Sequence, residues 1–146
     1  MSAALEGGCA CGQVRYRLAS APFDAGYCHC EVCRRSSGAP VMAFATVPIA
    51  DFVVTRGQLR QRRSTSFGDR GFCGECGTPL TMHVDHQPDT IDFTLGSLDR
   101  PEAVTPGFHM FFASRVAWFD VRDALPRHER FRPDTRGLQR AESPSG

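Results

Sequence analysis

The stretch Cys73-Gly74-Glu75-Cys76-Gly77 has the form of a zinc knuckle. Two residues between thiolates let one tight turn present both sulfurs to one ion, and the following glycine permits the backbone conformation that the turn needs. Far upstream, Cys9-Ala10-Cys11-Gly12 makes a shorter claw, again backed by glycine. Two claws distant in sequence supply four sulfurs, the closed tetrahedral set of a structural zinc. Burial of thiols alone does not call for two pairs each followed by glycine.

The segments around these claws read as short strands. Val14, Tyr16 and Leu18 alternate with polar residues, the pattern of a half-buried strand. Residues 41–47 form a mostly apolar run closed by Pro48, and residues 52–54 and 59–67 look like short strands on either side of Gly57. Ile91, Phe93 and Leu95 alternate again, and residues 108–121 are long, aromatic and β-prone. Helical character is confined to residues 31–37, one or two turns stopped by Gly38 and Pro40. The pattern predicts a mostly β domain over residues 5–131, rich in loops and cross-linked by metal, with one short helix. From Arg132 onward Pro, Gly, Ser, Arg and Glu dominate, which predicts a flexible tail over residues 132–146.

A chain of 146 residues, 41% hydrophobic and 23% charged, suits one globular domain with its own core. No apolar run approaches the roughly 18–20 residues that span a bilayer. The first eight residues lack the basic and apolar regions of a secretion signal, so the expected compartment is the cytoplasm. Seventeen basic groups against sixteen acidic ones leave a net charge of +1, which offers no general attraction to nucleic acid or to a membrane. Every basic residue is arginine. Without lysine, no side-chain amine can form a Schiff base with a carbonyl substrate, so any aldehyde chemistry runs through sulfur, metal or acid–base groups.

Seven cysteines in a reducing compartment argue against a disulfide framework. Three of them stand in Cys28-His29-Cys30-Glu31-Val32-Cys33. Three thiolates can take one face of a zinc ion and leave the fourth position to water or substrate, the arrangement of catalytic zinc. Arg34-Arg35 and the start of the short helix favour thiolate at Cys33. Two other readings stay open: His29 as a fourth ligand, which would close the site, or three thiols without a tightly held metal. Adjacent residues on an extended segment point to opposite sides, which weighs against His29. His83 and His86 stand in or beside a turn and read as solvated, and His109 reads as a core or rim residue of its strand. Arg15, Arg34, Arg35, Arg62 and Arg63 are candidates to hold substrate carboxylates.

The runs Gly7-Gly8-Cys9-Ala10-Cys11-Gly12, Cys28 to Arg35 and Gly71-Phe72-Cys73 to Leu80 together resemble the glutathione-dependent formaldehyde-activating (GFA) family, also called centromere-protein-V/GFA-like. Gly96-Ser97-Leu98-Asp99, Phe108-His109-Met110-Phe111, Trp118-Phe119 and Leu125-Pro126 extend the likeness over residues 5–131. The resemblance implies several short coiled β-sheets held by zinc. It implies a structural ion on Cys9, Cys11, Cys73 and Cys76 and a second ion on Cys28, Cys30 and Cys33. It also implies a carbon–sulfur lyase acting on a small aldehyde and a thiol such as glutathione, as in S-hydroxymethylglutathione synthesis. Arginines near Cys33 would then hold the tripeptide's carboxylates. Two further classes compete: a zinc-stabilised binding module without catalysis, and a thiol-redox or metal-storage protein. The sequence carries no signal for an oligomeric state.

Overall fold

The computed structural model of the chain describes residues 4–133. Its strands fall into two sheets. The smaller joins β1 (Glu6–Gly8), β2 (Arg15–Leu18) and β5 (Phe52–Arg56), all antiparallel with β2 in the middle. The larger contains β3 (Phe23–Cys28), β4 (Met42–Pro48), β6 (Leu59–Thr65), β7 (Gly68–Cys73), β8 (Pro79–Val84), β9 (Thr90–Thr94) and β10 (His109–Met110). Its order is β10-β3-β4-β9-β8-β7-β6, and only the β10–β3 pair is parallel. The fold is mostly β, as the alternating patterns require. No helix among the described residues is long and apolar enough to cross a membrane.

The alternation seen in the sequence sets the core. In β2, Tyr16 and Leu18 are buried while Arg15 and Arg17 are half-exposed. Tyr16 stacks on Phe52 at 4.5 Å between ring centroids, and its hydroxyl shares a 2.7 Å hydrogen bond with Ser97 Oγ. With Val14, Ala45, Val47, Leu80, Phe93, Leu95 and Leu98, these residues make a core to which both sheets contribute. Burying a side chain of this size stabilises the fold by about 1.5–3 kcal/mol.

Strand β4 serves two cores because successive residues face opposite ways. Ala45 and Val47 enter the main core, whereas Met42 and Phe44 join a second cluster containing Cys28, Cys33 and Met82. Phe108, Met110 and Phe111 pack against that second cluster. The short helix α1 (Glu31–Ser37) follows directly from it, on the residues expected. Cys30 caps its start, with Sγ accepting a hydrogen bond from Cys33 N–H. Gly38 ends it in the left-handed conformation at φ 71°, its N–H bonded to the Arg34 carbonyl.

The aromatic run at 108–121 departs from expectation. Only His109–Met110 pairs as a strand, and a 3-10 turn at Phe112–Ser114 follows. Phe111 stands at φ 54°, a left-handed conformation that a continuing strand does not allow. The backbone groups here find partners in a later loop instead: His109 N–H bonds Pro126 O, Phe111 N–H bonds Arg130 O, and Phe112 N–H bonds His128 O. Arg132, counted with the tail in the sequence, is buried and paired with Asp24 at 2.9 Å. The remainder of the expected tail, residues 134–146, lies outside the described residues.

Candidate metal centres and the adjoining cavity

Strand β7 ends on Cys73, and the turn after it brings Cys76 back beside it. Gly77 stands at φ 81° with its N–H on Cys73 O at 2.8 Å, and Gly12 at φ 78° with its N–H on Cys9 O at 3.2 Å. Both post-cysteine glycines therefore occupy the left-handed conformation that the two claws needed. The claws meet: ligand atoms of Cys9, Cys11, Cys73 and Cys76 all lie within 4.8 Å of one another. Cys9 Sγ is 3.6 Å from Cys11 Sγ, which is 3.7 Å from Cys73 Sγ.

Those separations test the fit to a metal. A zinc–sulfur bond of about 2.3 Å in a regular tetrahedron gives sulfur–sulfur edges of about 3.8 Å, whereas a disulfide is about 2.05 Å. All seven cysteines are free thiols. Backbone donors already point at the sulfurs, Val14 N–H at Cys9 Sγ (3.2 Å) and Cys76 N–H at Cys73 Sγ (3.5 Å). Thr78 joins both claws, its hydroxyl 3.1 Å from Cys76 Sγ and 3.0 Å from Ala10 N. That hydroxyl, with backbone N–H groups, draws the Cys76 thiol down to about 5. Four soft donors within 4.8 Å of one another, two of their edges close to the tetrahedral value, fit a zinc ion.

Cys28, Cys30 and Cys33 form the second group, also within 4.8 Å of one another. Cys28 comes from the end of β3, Cys30 from the helix cap and Cys33 from the first turn of α1. Hydrogen bonds from the Cys28 and Cys33 thiols hold Cys30 down to about 3, and the nearby Arg70 charge acts in the same direction. Cys28, which gives up that sharing, is pushed well above the ordinary thiol range.

His29 is not gathered with them. Its ring is fully buried on the other side, with Nε2 2.8 Å from His109 Nδ1. His109 Nε2 continues to Asp123 at 3.0 Å. A proton on His109 Nε2 gives Asp123 a donor and leaves His109 Nδ1 to accept from His29 Nε2–H. Burial, then the His109, Arg115 and Arg127 charges, push His29 down to about 4, so it is neutral at pH 7. His109 is thus a buried connecting residue.

Asp123 anchors this chain from the surface. The hydrogen bond from His109 holds its carboxyl below the usual carboxylate range. A carboxyl whose folded pKa lies below its unfolded value of about 3.9 adds stability above that value and loses it as pH falls through the folded pKa. The melting-temperature gap between wild type and Asp123→Asn is therefore expected to be widest above about pH 5 and to shrink as pH falls toward 3. A gap that does not change over this range would contradict the role assigned to Asp123.

The two cysteine groups differ in what lies beside them. Cys28, Cys30 and Cys33 line a cavity of about 360 Å³, and the other four cysteines do not. Phe44, Met82, Met110, Phe111 and Phe131 supply its apolar surface. Arg70, on β7, also lines the cavity and donates from Nη2 to Cys33 Sγ at 3.3 Å. Its other terminal nitrogen, Nη1, is buried with no hydrogen-bond partner among the described residues.

None of the arginines singled out in the sequence lines the cavity, and Arg34 is half-buried with its Nε lacking a hydrogen-bond partner among the described residues. Arg15 pairs with Asp99 at 2.8 Å, Arg35 with Glu31 at 2.9 Å, and Arg63 with Asp69 and Asp85. Arg62 is exposed on β6, and neither Arg34 nor Arg35 lines the cavity. Arg70 carried no motif, although its place three residues before Cys73 in a strand was the available signal. His86 is buried rather than solvated, its ring edge-on to Phe131 at 5.5 Å. Asp69, His83 and Asp85 also cluster closely, but Arg63 already neutralises both carboxylates.

Fold and site together define a mostly β protein with two cysteine groups able to hold metal, one of them facing a cavity. The chain belongs to the glutathione-dependent formaldehyde-activating enzyme (GFA) family, whose sequence profile matches residues 4–114. It is 28% identical over 130 residues to a candidate glutathione-dependent formaldehyde-activating enzyme of Halomonas elongata, covering 80% of each chain. It is 33% identical over 75 residues to an uncharacterized lyase of Schizosaccharomyces pombe, which is 51% of this chain and 54% of that one. A crystal structure of a Rhodobacter sphaeroides protein superposes with a TM-score of 0.55 at 26% identity, covering 69% of this chain and 91% of that chain.

Proposed function

We propose that the protein is a zinc-dependent carbon–sulfur lyase that interconverts a small aldehyde plus a thiol with their adduct. Cys9, Cys11, Cys73 and Cys76 hold a structural ion, and Cys28, Cys30 and Cys33 hold the ion at which chemistry takes place. The observation that carries this reading is the cavity, which three cysteines line and four do not. The Halomonas relative's name, for glutathione-dependent formaldehyde activation, supports the aldehyde–thiol reading, and the fission-yeast relative's supports a lyase.

A zinc ion on the triplet supplies Lewis acidity and lowers the pKa of what binds it. The rest falls to the chain's own residues. Phe44, Met82 and Met110 exclude water from the reacting atoms, which strengthens electrostatic interactions there. Arg70 holds a fixed positive charge beside Cys33 Sγ, where negative charge gathers as a thiol loses its proton. In the adduct-forming direction the sulfur–carbon bond forms, the carbonyl π bond becomes a C–O single bond, and the thiol proton ends on oxygen. No electrons leave the system, and no amine is required, in keeping with a chain without lysine.

The test measures zinc per chain together with the rate of thiol–aldehyde adduct interconversion, followed by exchange NMR with and without chelator. Two zinc ions and an exchange rate that rises with protein concentration are expected. A rate equal to the protein-free background in fully loaded protein would overturn the assignment, because thiols and aldehydes also combine unaided.

A further inference from the structure

The walls of the cavity restrict what can enter it. Its 360 Å³ lies near the small end of ligand sites, which run from roughly 300 to 1,000 Å³. Two arginines contribute to the lining, Arg70 and Arg132. Arg132 is matched by Asp24 at 2.9 Å and bonds the Pro133 carbonyl at 2.8 Å. Arg70 is the lining arginine with a buried nitrogen, Nη1, that is unpartnered among the described residues; His83 Nε2, also at the wall, is a second buried nitrogen without a partner but carries no fixed charge. The acids at the wall are already engaged, Glu31 with Arg35, Asp69 with Arg63 and Asp92 with the Thr46 hydroxyl, so the wall adds no second cation for another anionic group. A ligand carboxylate taken into such a site without a partner loses its hydration uncompensated.

The place of Arg70 adds a distance constraint. The same guanidinium that presents Nη1 donates from Nη2 to Cys33 Sγ at 3.3 Å. A carboxylate on Nη1 therefore lies near the sulfur cluster, and a short spacing between a ligand's thiol and its carboxylate suits both contacts. Glutathione does not meet these conditions. It has two carboxylates and an ammonium, and both carboxylates are several bonds from the sulfur.

Resting on the thiol–aldehyde reading above, we propose that the cavity selects 2-mercaptocarboxylates with an apolar, aromatic-sized side chain, with the carboxylate on Arg70 and the side chain against Phe44, Phe111 and Phe131. Arg70 is then the residue that determines specificity. With an aldehyde, the bond changes are those already described, and no co-reactant beyond the aldehyde is needed.

Calorimetric titration of the zinc-loaded full chain tests this with three ligands: 2-mercapto-3-phenylpropanoate, glutathione and the sulfur-free 3-phenylpropanoate. The mercapto acid is expected to bind at least about tenfold tighter than glutathione. Arg70→Gln is expected to weaken the mercapto acid and 3-phenylpropanoate alike by about tenfold or more, the scale of one charged hydrogen bond, and to leave glutathione nearly unchanged. Phe131→Ala, on the cavity wall and far from the sulfurs in sequence, is expected to weaken both phenyl ligands and serves if Arg70→Gln folds poorly. Equal or tighter glutathione binding, or phenyl-ligand affinity indifferent to both variants, would overturn the proposal. The sulfur-free ligand separates the two readings. If the mercapto acid binds no tighter than 3-phenylpropanoate while both depend on Arg70, the cavity assignment is supported and the thiol-at-triplet reading fails.

Discussion

A Cys73→Ser variant is expected to lose its metal and its cooperative fold together. Cys73 is 1% exposed, closes β7, and belongs to the main core as well as to the four-sulfur group. The two claws it helps to join lie far apart in the chain, one in the turn between β1 and β2 and the other in the turn between β7 and β8. A structural zinc in small peptides contributes about 10–16 kcal/mol at neutral pH, against a total folding stability of about 5–15 kcal/mol for an ordinary domain. A serine hydroxyl is a harder, weaker ligand, so the variant gives up a term as large as the whole net stability. Far-UV circular dichroism, thermal melting and zinc content check this on one preparation. A sharp transition within about 5 °C of wild type, equivalent to roughly 1–2 kcal/mol, would remove the structural role from this group.

The sequence made this group legible because cysteine spacing records backbone geometry directly. Gly12 and Gly77 at φ 78° and 81° are the conformations that the two claws demanded. Strands with a clean alternation, such as β2 with Tyr16 and Leu18, were equally plain, and so was α1 between its cap and Gly38. What failed to show was set by tertiary contact. Residues 23–28 contain Asp24, Ala25 and Gly26 and carry no strand pattern, yet they form β3 because β4 and β10 flank them. Gly26 is required there by packing: an added Cβ would lie 2.5 Å from the Phe108 ring. Conversely, the aromatic run at 108–121 looked like a strand, but its rings are used for packing at the second cluster while the backbone pairs with residues 126–130.

The functional site divides along the same line. Cys28, Cys30 and Cys33 stand close in sequence, so their convergence could be foreseen. Arg70 and Asp123 could not, because each acquires its meaning from a partner 37 or 14 residues away. Arg34 and Arg35 looked like substrate ligands because they follow Cys33, but a helix carries successive residues round its axis by about 100°. Arg35 ends on Glu31 in solvent, and the cation beside the sulfurs, Arg70, comes from β7.

Cys30→Ser separates the second group from the first. Cys30 is partly exposed at the cavity wall, and its Sγ caps α1 through Cys33 N–H. Serine is among the better helix caps, so its hydroxyl can accept the same hydrogen bond and the helix start should survive. Little packing is lost, since one sulfur becomes one oxygen at a partly open position. The variant is therefore expected to fold, to hold one metal ion where two are expected in wild type, and to keep a melting temperature within a few degrees of wild type. Adduct exchange should fall by more than the roughly 10–100-fold typical when a partner behind a metal ligand is removed, because here a ligand itself is lost. The contrast with Cys73→Ser carries the information: one substitution removes the fold, the other only the chemistry. If Cys30→Ser unfolds as Cys73→Ser does, the triplet is structural. If it keeps both ions and full exchange activity, the reacting centre lies elsewhere than on Cys28, Cys30 and Cys33.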